Sequence, residues 1–304
     1  MLYPDFNDLI ALGDQKLKIT HPSSRSVKSS VLGNHRSPFR GAGVEFDSVR
    51  EYVPGDDIRN IDWRVTARIG SAHLKIFKEE RERHVVICID RNSTMRFGTK
   101  NTFKSVQAAR VAALLGWSVI AAQDQLSVCF FGDVPNGVQF FPPKRTKKFF
   151  CNILKKLTEP PLENHHVRLE ASLQYISQVV HTGALVYFIS DFMDIDKQFQ
   201  EEACISEMRK KCDVVFIGIN DQTDKSIYPM GVLRLQASNL EKISVDTENL
   251  IGQKAYAALW KEHQERLKEI TTRFKIPMVE LMTESKVAQD LILGLKKIAR
   301  GKKR

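Results

Sequence analysis

Two aspartates follow buried apolar runs of the sequence, at the points where strand-like segments end. Asp90 comes directly after the run Val85–Ile89, and Asp191 comes after the run Leu185–Ser190. Short apolar runs rich in β-branched residues are typical of strands buried on both faces of a parallel sheet. The carboxyl ends of such strands form the edge where open α/β sheets bind ligands. We therefore expect Asp90 and Asp191 to lie at that edge.

Carboxylates in this position could serve a metal-dependent hydrolase, with Asp194 as a third ligand beside Asp90 and Asp191. The sequence adds little to that chemistry, because no histidine or bridging carboxylate stands at a recognisable spacing. No Ser-His or Cys-His arrangement indicates an activated nucleophile, and no Walker A sequence or glycine-rich phosphate loop indicates ATP chemistry. We therefore expect no enzymatic activity, and a hydrolase ranks last among the functions considered.

The segments that must position these aspartates alternate between helix and strand. This alternation predicts a doubly wound, mostly parallel α/β sheet. Turn residues and short alternating runs near 221–246 interrupt it and predict a β-hairpin insertion. The predicted strands are 85–89, 126–132, 138–141, 185–190, 214–219 and 277–282, and the predicted helices are 101–123, 147–157, 169–180, 197–211, 250–274 and 286–299.

Net charge is unevenly distributed along the 304 residues. The formal charge is +10, yet residues 144–156 and residues 296–304 each carry six cations and no acid, so the rest is nearly neutral. Such segments are either solvated surfaces or contacts to an acidic partner, an anionic membrane surface or nucleic acid. For residues 144–156 both interpretations stay open, and for the C-terminal segment we favour a solvated tail.

The cysteines, the N-terminus and the length of the apolar runs indicate the cellular compartment of the protein. The five cysteines show no CxxC spacing, and two lie in strand-like apolar runs, which favours free thiols in a reducing compartment. The N-terminus lacks the basic region of a signal peptide, and no apolar run is long enough to span a bilayer. We therefore expect a cytoplasmic protein without a transmembrane segment.

Two stretches of the chain together resemble one protein family. The sequence RGAGVEFDSVREYVPGDDIRNIDWRVTAR precedes VVICIDRNSTMRFGT. This pairing closely resembles the bacterial domain-of-unknown-function 58 family, in which such a block precedes a von Willebrand factor A-like domain. We interpret the acids and arginines of the block as a network of Arg–carboxylate bonds that fixes irregular loops against the main domain, with Trp63 as the apolar anchor. The residues predicted to be structural are Gly55, Asp56, Asp57, Arg59, Asp62 and Trp63.

The resemblance implies an organisation and a function. We expect an N-terminal extension of helix, loops and short strands over residues 1–82 and a von Willebrand factor A-like (Rossmann-like) domain over 83–304. The family implies a non-enzymatic interaction protein that partners an AAA+ ATPase of the MoxR group in chaperone-like protein maturation or metal insertion. The alternative is a nucleic-acid-binding protein that uses the two basic segments, although no known reading motif accompanies them. The client and the process served are not named by the sequence.

The resemblance also implies a metal-ion-dependent adhesion site, built from hard oxygen ligands on three loops. Asp90, Asn92 and Thr94 stand at the positions of the first loop, and Asp191 stands at that of the third. Val167 occupies the threonine position of the second loop and offers no ligand. We therefore expect Mg²⁺ to bind weakly or not at all.

A neighbouring cation could take the place of the metal ion, since two close carboxylates repel each other when no cation separates them. Arg91 and Arg168 are the candidates that the sequence suggests for this role. A purely structural role for Asp90 and Asp191, capping helices and bonding loop amides, is an equally open interpretation.

Overall fold

A computed structural model describes residues 4–15, 19, 21, 44–79, 83–100, 102–160, 167–195, 202–236 and 242–301 of the chain. The chain forms two compact units, one of Met1–Ser26 with Arg83–Arg304 and one of Val27–Glu82. In chain order the elements are α1 (Phe6–Ala11), β1 (Val44–Glu51), α2 (Trp63–Ile69), β2 (His73–Glu79), β3 (His84–Asp90), α3 (Lys104–Ala121), β4 (Gln125–Phe131), β5 (Val138–Lys144), α4 (Lys147–Thr158), α5 (Leu169–Val179), β6 (Leu185–Ser190), α6 (Glu202–Lys211), β7 (Asp213–Asn220), α7 (Gln222–Lys225), β8 (Val232–Gln236), β9 (Lys242–Asp246), α8 (Leu250–Arg273), β10 (Met278–Met282) and α9 (Val287–Gly301).

The larger unit is built on a six-stranded sheet with the strand order β10-β7-β6-β3-β4-β5. All neighbouring pairs are parallel except β4 with β5, so β5 is an antiparallel edge strand. When only the six strands of this sheet are numbered and the order is taken from the β5 edge, it is 3-2-1-4-5-6, that of the doubly wound Rossmann-type sheet. The predicted doubly wound, mostly parallel α/β sheet is confirmed.

Helices cover both faces of this sheet, as its apolar strands require. One face packs against α1, α3, α4 and α9, and α3 is buried along most of its length. The other face packs against α5, α6 and α8. Because β3, β6 and β7 are buried on both faces, their runs of β-branched and aromatic residues lack the alternation of a half-exposed strand.

The first helix differs from the predicted division of the chain. We expected residues 1–82 to form one extension, but α1 groups with the larger unit, because its Leu9 side chain is fully buried in that core. The Trp117 indole N–H of α3 also donates a hydrogen bond to the Leu9 carbonyl oxygen at 3.0 Å. The extension is thus reduced to Val27–Glu82 as a compact unit.

Two smaller sheets complete the described elements. In the smaller unit β1 and β2 pair antiparallel, and Ile61 bridges to Leu74 beside the short helix α2. In the larger unit β8 and β9 form an antiparallel hairpin within the predicted insertion near 221–246. Among the residues that the structure describes, no helix has both the length and the apolar character needed to cross a membrane.

Candidate site at the carboxyl edge of the sheet

The central strands end together, so their following loops share one edge of the sheet. In the β3–β6 ladder Ile89 pairs with Ile189, and in the β6–β7 ladder Ser190 pairs with Gly218. Asp90 and Asp191 therefore emerge from neighbouring strands at the same edge, where the sequence predicted them. Asp90 and Asp191 are each 3% exposed.

Asp90 is held by hydrogen bonds from its own edge of the sheet. Its Oδ1 accepts from the backbone N–H of Asn92 at 2.8 Å, and its Oδ2 accepts from the Ser190 hydroxyl at 2.5 Å. Burial, together with the nearby carboxylates of Asp191 and Asp194, raises the pKa of Asp90 well above its usual range. The two hydrogen bonds oppose that shift only in part, so Asp90 binds a proton more readily than an exposed aspartate.

Asn92 joins the first loop to the second. Its side-chain Nδ2 donates to the Val167 carbonyl oxygen at 2.9 Å, and its Oδ1 accepts from the Val167 N–H at 3.1 Å. The amide thus satisfies both backbone groups of Val167, in the manner of a neighbouring strand. Thr94, the other predicted ligand of this loop, lies half-buried in the single 3₁₀ turn Ser93–Met95.

Two glycines allow this close approach of loops. A Cβ atom on Gly132 would lie 2.7 Å from Asn92 Oδ1, and one on Gly137 would lie 2.4 Å from Val167 Cγ2. Both glycines also have positive φ angles, of 102° and 73°, which disfavour any other residue. The β4–β5 loop therefore packs directly on the place where the first and second predicted ligand loops meet.

The third loop contacts a cation that was not predicted from the sequence. The ammonium of Lys104 lies 3.3 Å from Asp191 Oδ2 and 2.8 Å from Asp224 Oδ2. Burial alone would lower the pKa of Lys104, but the carboxylates of Asp191 and Asp224 raise it, so the side chain stays charged. A signal was present in the sequence, because Lys104 shares a helical face with the apolar Ala108.

The two predicted stand-in cations contact other groups. Arg91 donates to the Lys156 carbonyl oxygen at 2.9 Å at the end of α4. Arg168 bonds the Glu170 carboxylate and donates to the Asp194 carbonyl oxygen at 2.9 Å. In the described structure the cation that contacts Asp191 is Lys104, so Lys104 has the role that was predicted for Arg91 or Arg168.

Asp194 and Asp221 accept hydrogen bonds that hold the segments around this edge of the sheet. Asp194 accepts from the backbone N–H of Leu169 at 2.9 Å, at the first turn of α5. Asp221 accepts from the hydroxyls of Thr99 and Thr283 at 2.6 Å each, and so ties three loops together. Although burial opposes ionisation, these hydroxyls and the backbone donors lower the pKa of Asp221 to about 2. The hydroxyl partners of Asp221 were not predicted.

As arranged, these side chains do not fit the metal site that the resemblance implies. The Asn92 amide is bonded to Val167 on both sides, and the Asp191 carboxylate is bonded to Lys104. Within the described ranges, no group of three or more His, Cys, Asp or Glu side chains is arranged to hold a metal ion. Weak Mg²⁺ binding stays a prediction, and it would require these bonds to rearrange.

The acidic residues of the Gly-Asp-Asp block fix turns of the smaller unit. Asp56 accepts two hydrogen bonds from the Arg50 guanidinium, at 2.7 and 2.8 Å. Asp57 and Asp62 cap the 3₁₀ turn before α2 and α2 itself. Gly55 has a φ of 109° in the turn between β1 and these caps, a conformation that favours glycine.

Trp63 does not have the place predicted for it. Its side chain is 70% exposed, so it is not the buried apolar anchor of the block. In the described part of the smaller unit, the buried apolar residues are Ile61 and Leu74. Arg59, also predicted to be structural, is exposed as well.

The two basic segments lie at the surface where the structure describes them. Residues 142–148, at the junction of β5 and α4, are all exposed, and so are Lys296 and Lys297 of α9. Lys302–Arg304 of the second segment lie outside the described residues. The Lys144 ammonium lies 5.7 Å from the centre of the Phe149 ring, which is itself half-buried.

Comparisons with known proteins bear on the family. Residues 48–266 match the family described as Protein of unknown function DUF58. The uncharacterized protein Rv1480 of Mycobacterium tuberculosis is 25% identical over 198 residues, covering 64% of this chain and 61% of the relative. The uncharacterized protein Mb1516 of Mycobacterium bovis matches to the same extent. The chain thus spans about 61% of the length of these curated relatives.

Solved structures with a similar arrangement are also known. The conserved hypothetical protein BatB from Bacteroides thetaiotaomicron is 11% identical with a TM-score of 0.44, covering 72% of this chain and 99% of that one. A von Willebrand factor type A protein from Catenulispora acidiphila is 10% identical with a TM-score of 0.42, covering 75% of this chain and 44% of that one. The resemblance noted in the sequence is confirmed by the family match, which extends over well more than half of the 304 residues, and the chain belongs to the DUF58 family.

Proposed function

We propose that this protein is a non-enzymatic interaction module that partners an AAA+ ATPase of the MoxR group, in chaperone-like protein maturation or metal insertion. Membership of the DUF58 family supports the interaction role, and the named ATPase group comes from the resemblance of the motif block. The free state of the cysteines supports a cytoplasmic, reducing location.

The exposed face of α2 is the observation that carries the proposal. Trp63 and Ala67 lie one helical turn apart, and so do Arg64 and Arg68, and all four residues are exposed. Tryptophan and arginine are the residues most enriched at the energetic centres of protein interfaces. A large exposed ring flanked by guanidinium groups favours a partner surface with an apolar pocket and an acidic rim.

The arrangement at the carboxyl edge of the sheet supports a role without catalysis. Asp90 and Asp191 are buried and bonded to groups of their own chain, namely Ser190 and Lys104. A general acid or base must reach a substrate atom within hydrogen-bonding distance, and a nucleophile must be activated by a nearby base. The contacts of these carboxylates instead join strand ends and loops of the fold.

The proposal is tested with the full chain and a MoxR-group ATPase from the same genome. We expect the two purified proteins to bind, and we expect Trp63→Ala to weaken binding at least tenfold while the thermal melting temperature stays within 2 °C of the parent. A matched control is Lys147→Ala, an exposed residue at the start of α4. Equal losses in the two variants, or none in either, would place the contact elsewhere than on α2.

Catalysis is tested separately. The pure protein without a partner should not hydrolyse ATP. Turnover that Asp90→Ala abolishes would overturn the non-enzyme proposal, because Asp90 would then act on a substrate rather than on Ser190 and Asn92.

The nucleic-acid alternative depends on the exposed basic run at residues 144–148. If these cations bind phosphates, affinity should fall with salt by roughly one log–log unit per contact. Single-stranded and duplex oligonucleotides at low salt are the probes, and the double variant Lys147→Glu/Lys148→Glu is the comparison. We expect no binding, or weak binding that ignores sequence, and a steep salt dependence lost in the variant would favour the alternative.

A further inference from the structure

We propose that Lys104 is the resident cation of the carboxyl edge, and that its ammonium takes the place of a divalent ion between Asp191 and Asp224. The wild-type edge then needs no metal ion for folding. This inference concerns the larger unit alone and does not depend on the proposed ATPase.

The geometry of the ammonium supports this role. Lys104 Nζ lies 2.8 and 2.9 Å from the two oxygens of Asp224 and 3.3 Å from Asp191 Oδ2. The three residues are between 2% and 8% exposed, so solvent screens the interaction little. A single charged atom thus contacts three carboxylate oxygens from two residues, as a bound cation would.

The position of Lys104 in the fold also supports its role as the resident cation. Lys104 is the first residue of α3, where the partial positive charge of the helix N-terminus disfavours a cation. Asp191 follows β6, and Asp224 belongs to α7, which follows β7. The ammonium therefore joins three separate elements at the edge, and its partners must outweigh both its burial and the helix dipole.

Lys100, four residues earlier in the chain, provides a matched control. Its ammonium lies 2.8 Å from Glu284, but the side chains of Lys100 and Glu284 are 54% and 41% exposed. An exposed ion pair contributes little to stability, whereas removing one partner of a buried pair leaves an uncompensated charge. The two lysines thus separate the effect of burial from the effect of losing a positive charge.

The experiment compares melting temperatures of wild type, Lys104→Ala and Lys100→Ala in matched ionic strength. We expect Lys104→Ala to melt about 10 °C lower and Lys100→Ala within about 2 °C of wild type. Millimolar MgCl₂ or MnCl₂ should raise the melting temperature of Lys104→Ala by several degrees and leave the other two unchanged. So should n-propylammonium chloride, which carries the three carbons and the ammonium that the substitution removes.

Three results would overturn the proposal. The first is a Lys104→Ala protein that is as stable as the parent, and the second is a Lys104→Ala protein that neither the metal ions nor propylammonium stabilise. The third concerns the wild type, for which free Mn²⁺ is measured by electron paramagnetic resonance. Mn²⁺ binding by the wild type that Asp191→Asn abolishes would show that the edge takes a metal ion despite Lys104.

A second variant keeps the test valid if Lys104→Ala fails to fold. Lys104→Met/Asp191→Asn/Asp224→Asn removes the cation together with both charges. We expect this triple variant to fold and to gain no stability from MgCl₂, MnCl₂ or propylammonium. Rescue of the triple variant by these ions would contradict the proposal, because the carboxylates would then not be the groups that hold them.

Discussion

Acid should destabilise the protein through His21, whose ring is held between two partners in the larger unit. Its Nδ1 lies 2.8 Å from the Tyr187 hydroxyl and its Nε2 lies 2.9 Å from Ser118 Oγ. Ser118 Oγ donates its own proton to the Leu115 carbonyl oxygen at 2.6 Å, so it must accept from Nε2–H. Nδ1 is then the unprotonated nitrogen and accepts from Tyr187, which means that only the neutral imidazole fits this place.

The magnitude follows from the pKa of the ring. Burial, with a smaller contribution from the nearby Arg83, lowers the pKa of His21 from 6.5 to about 4. Because the folded value lies below the unfolded one, the unfolded chain binds the proton first as the pH falls. The stabilisation is therefore present above about pH 6.5 and is lost toward pH 4. At 1.36 kcal/mol per pKa unit, the loss is about 2 kcal/mol at pH 5 and about 3 kcal/mol at pH 4.

The assay is urea unfolding followed by tryptophan fluorescence at pH 7 and pH 5, for wild type and His21→Gln. Glutamine can accept from Tyr187 and donate to Ser118 but does not titrate. Other histidines with lowered pKa values, such as His84, affect both proteins alike and cancel in the difference. Wild type should lose about 2 kcal/mol more than the variant between these pH values. Equal losses would refute the neutral, buried imidazole.

Three further variants test the packing. Trp63→Ala should change the free energy of unfolding by less than about 0.5 kcal/mol, because the ring is 70% exposed, and a loss of several kcal/mol in urea unfolding would contradict that exposure. Asn92→Ala should cost about 2–4 kcal/mol, because it leaves the N–H and C=O of Val167 unpaired, and an unchanged urea midpoint would show that this pairing is dispensable. Gly116→Ala should cost about 1–3 kcal/mol, because its Cβ would lie 2.1 Å from Phe150 Cζ. Gly116→Ala/Phe150→Leu should recover part of that cost, and no recovery would assign it to another contact.

Local patterns in the sequence were sufficient to predict the parallel sheet and the edge at which its carboxylates emerge. A parallel strand that is buried on both faces has a continuous run of apolar residues, and this run can be recognised from the strand's own sequence. Asp90 and Asp191 could be placed at one edge because each follows such a run, and parallel strands end on the same side. A helix was also expected in the N-terminal extension, but a helix alone does not show which core its apolar face will join.

The partners of the buried polar and charged groups, unlike the strands, could not be predicted from the sequence. Lys104 lies 87 residues from Asp191 and 120 from Asp224 along the chain, and Asn92 lies 75 residues from Val167. A buried polar group needs a partner, but which partner it finds depends on the loops that the strand order brings together. Arg91 and Arg168 were plausible by sequence proximity, yet Lys104 reaches Asp191 because α3 crosses the sheet beside β6 and β7.

The sequence by itself determined the family, the alternation of strands and helices, and the edge at which the carboxylates emerge, since periodicity and strand ends are local properties of the chain. The tertiary structure alone decided that Asn92 pairs with Val167, that Lys104 lies between two carboxylates and that Trp63 is exposed. The first two are contacts between elements distant in sequence. Their free energy depends on burial and on distances that only the assembled sheet and its helices fix.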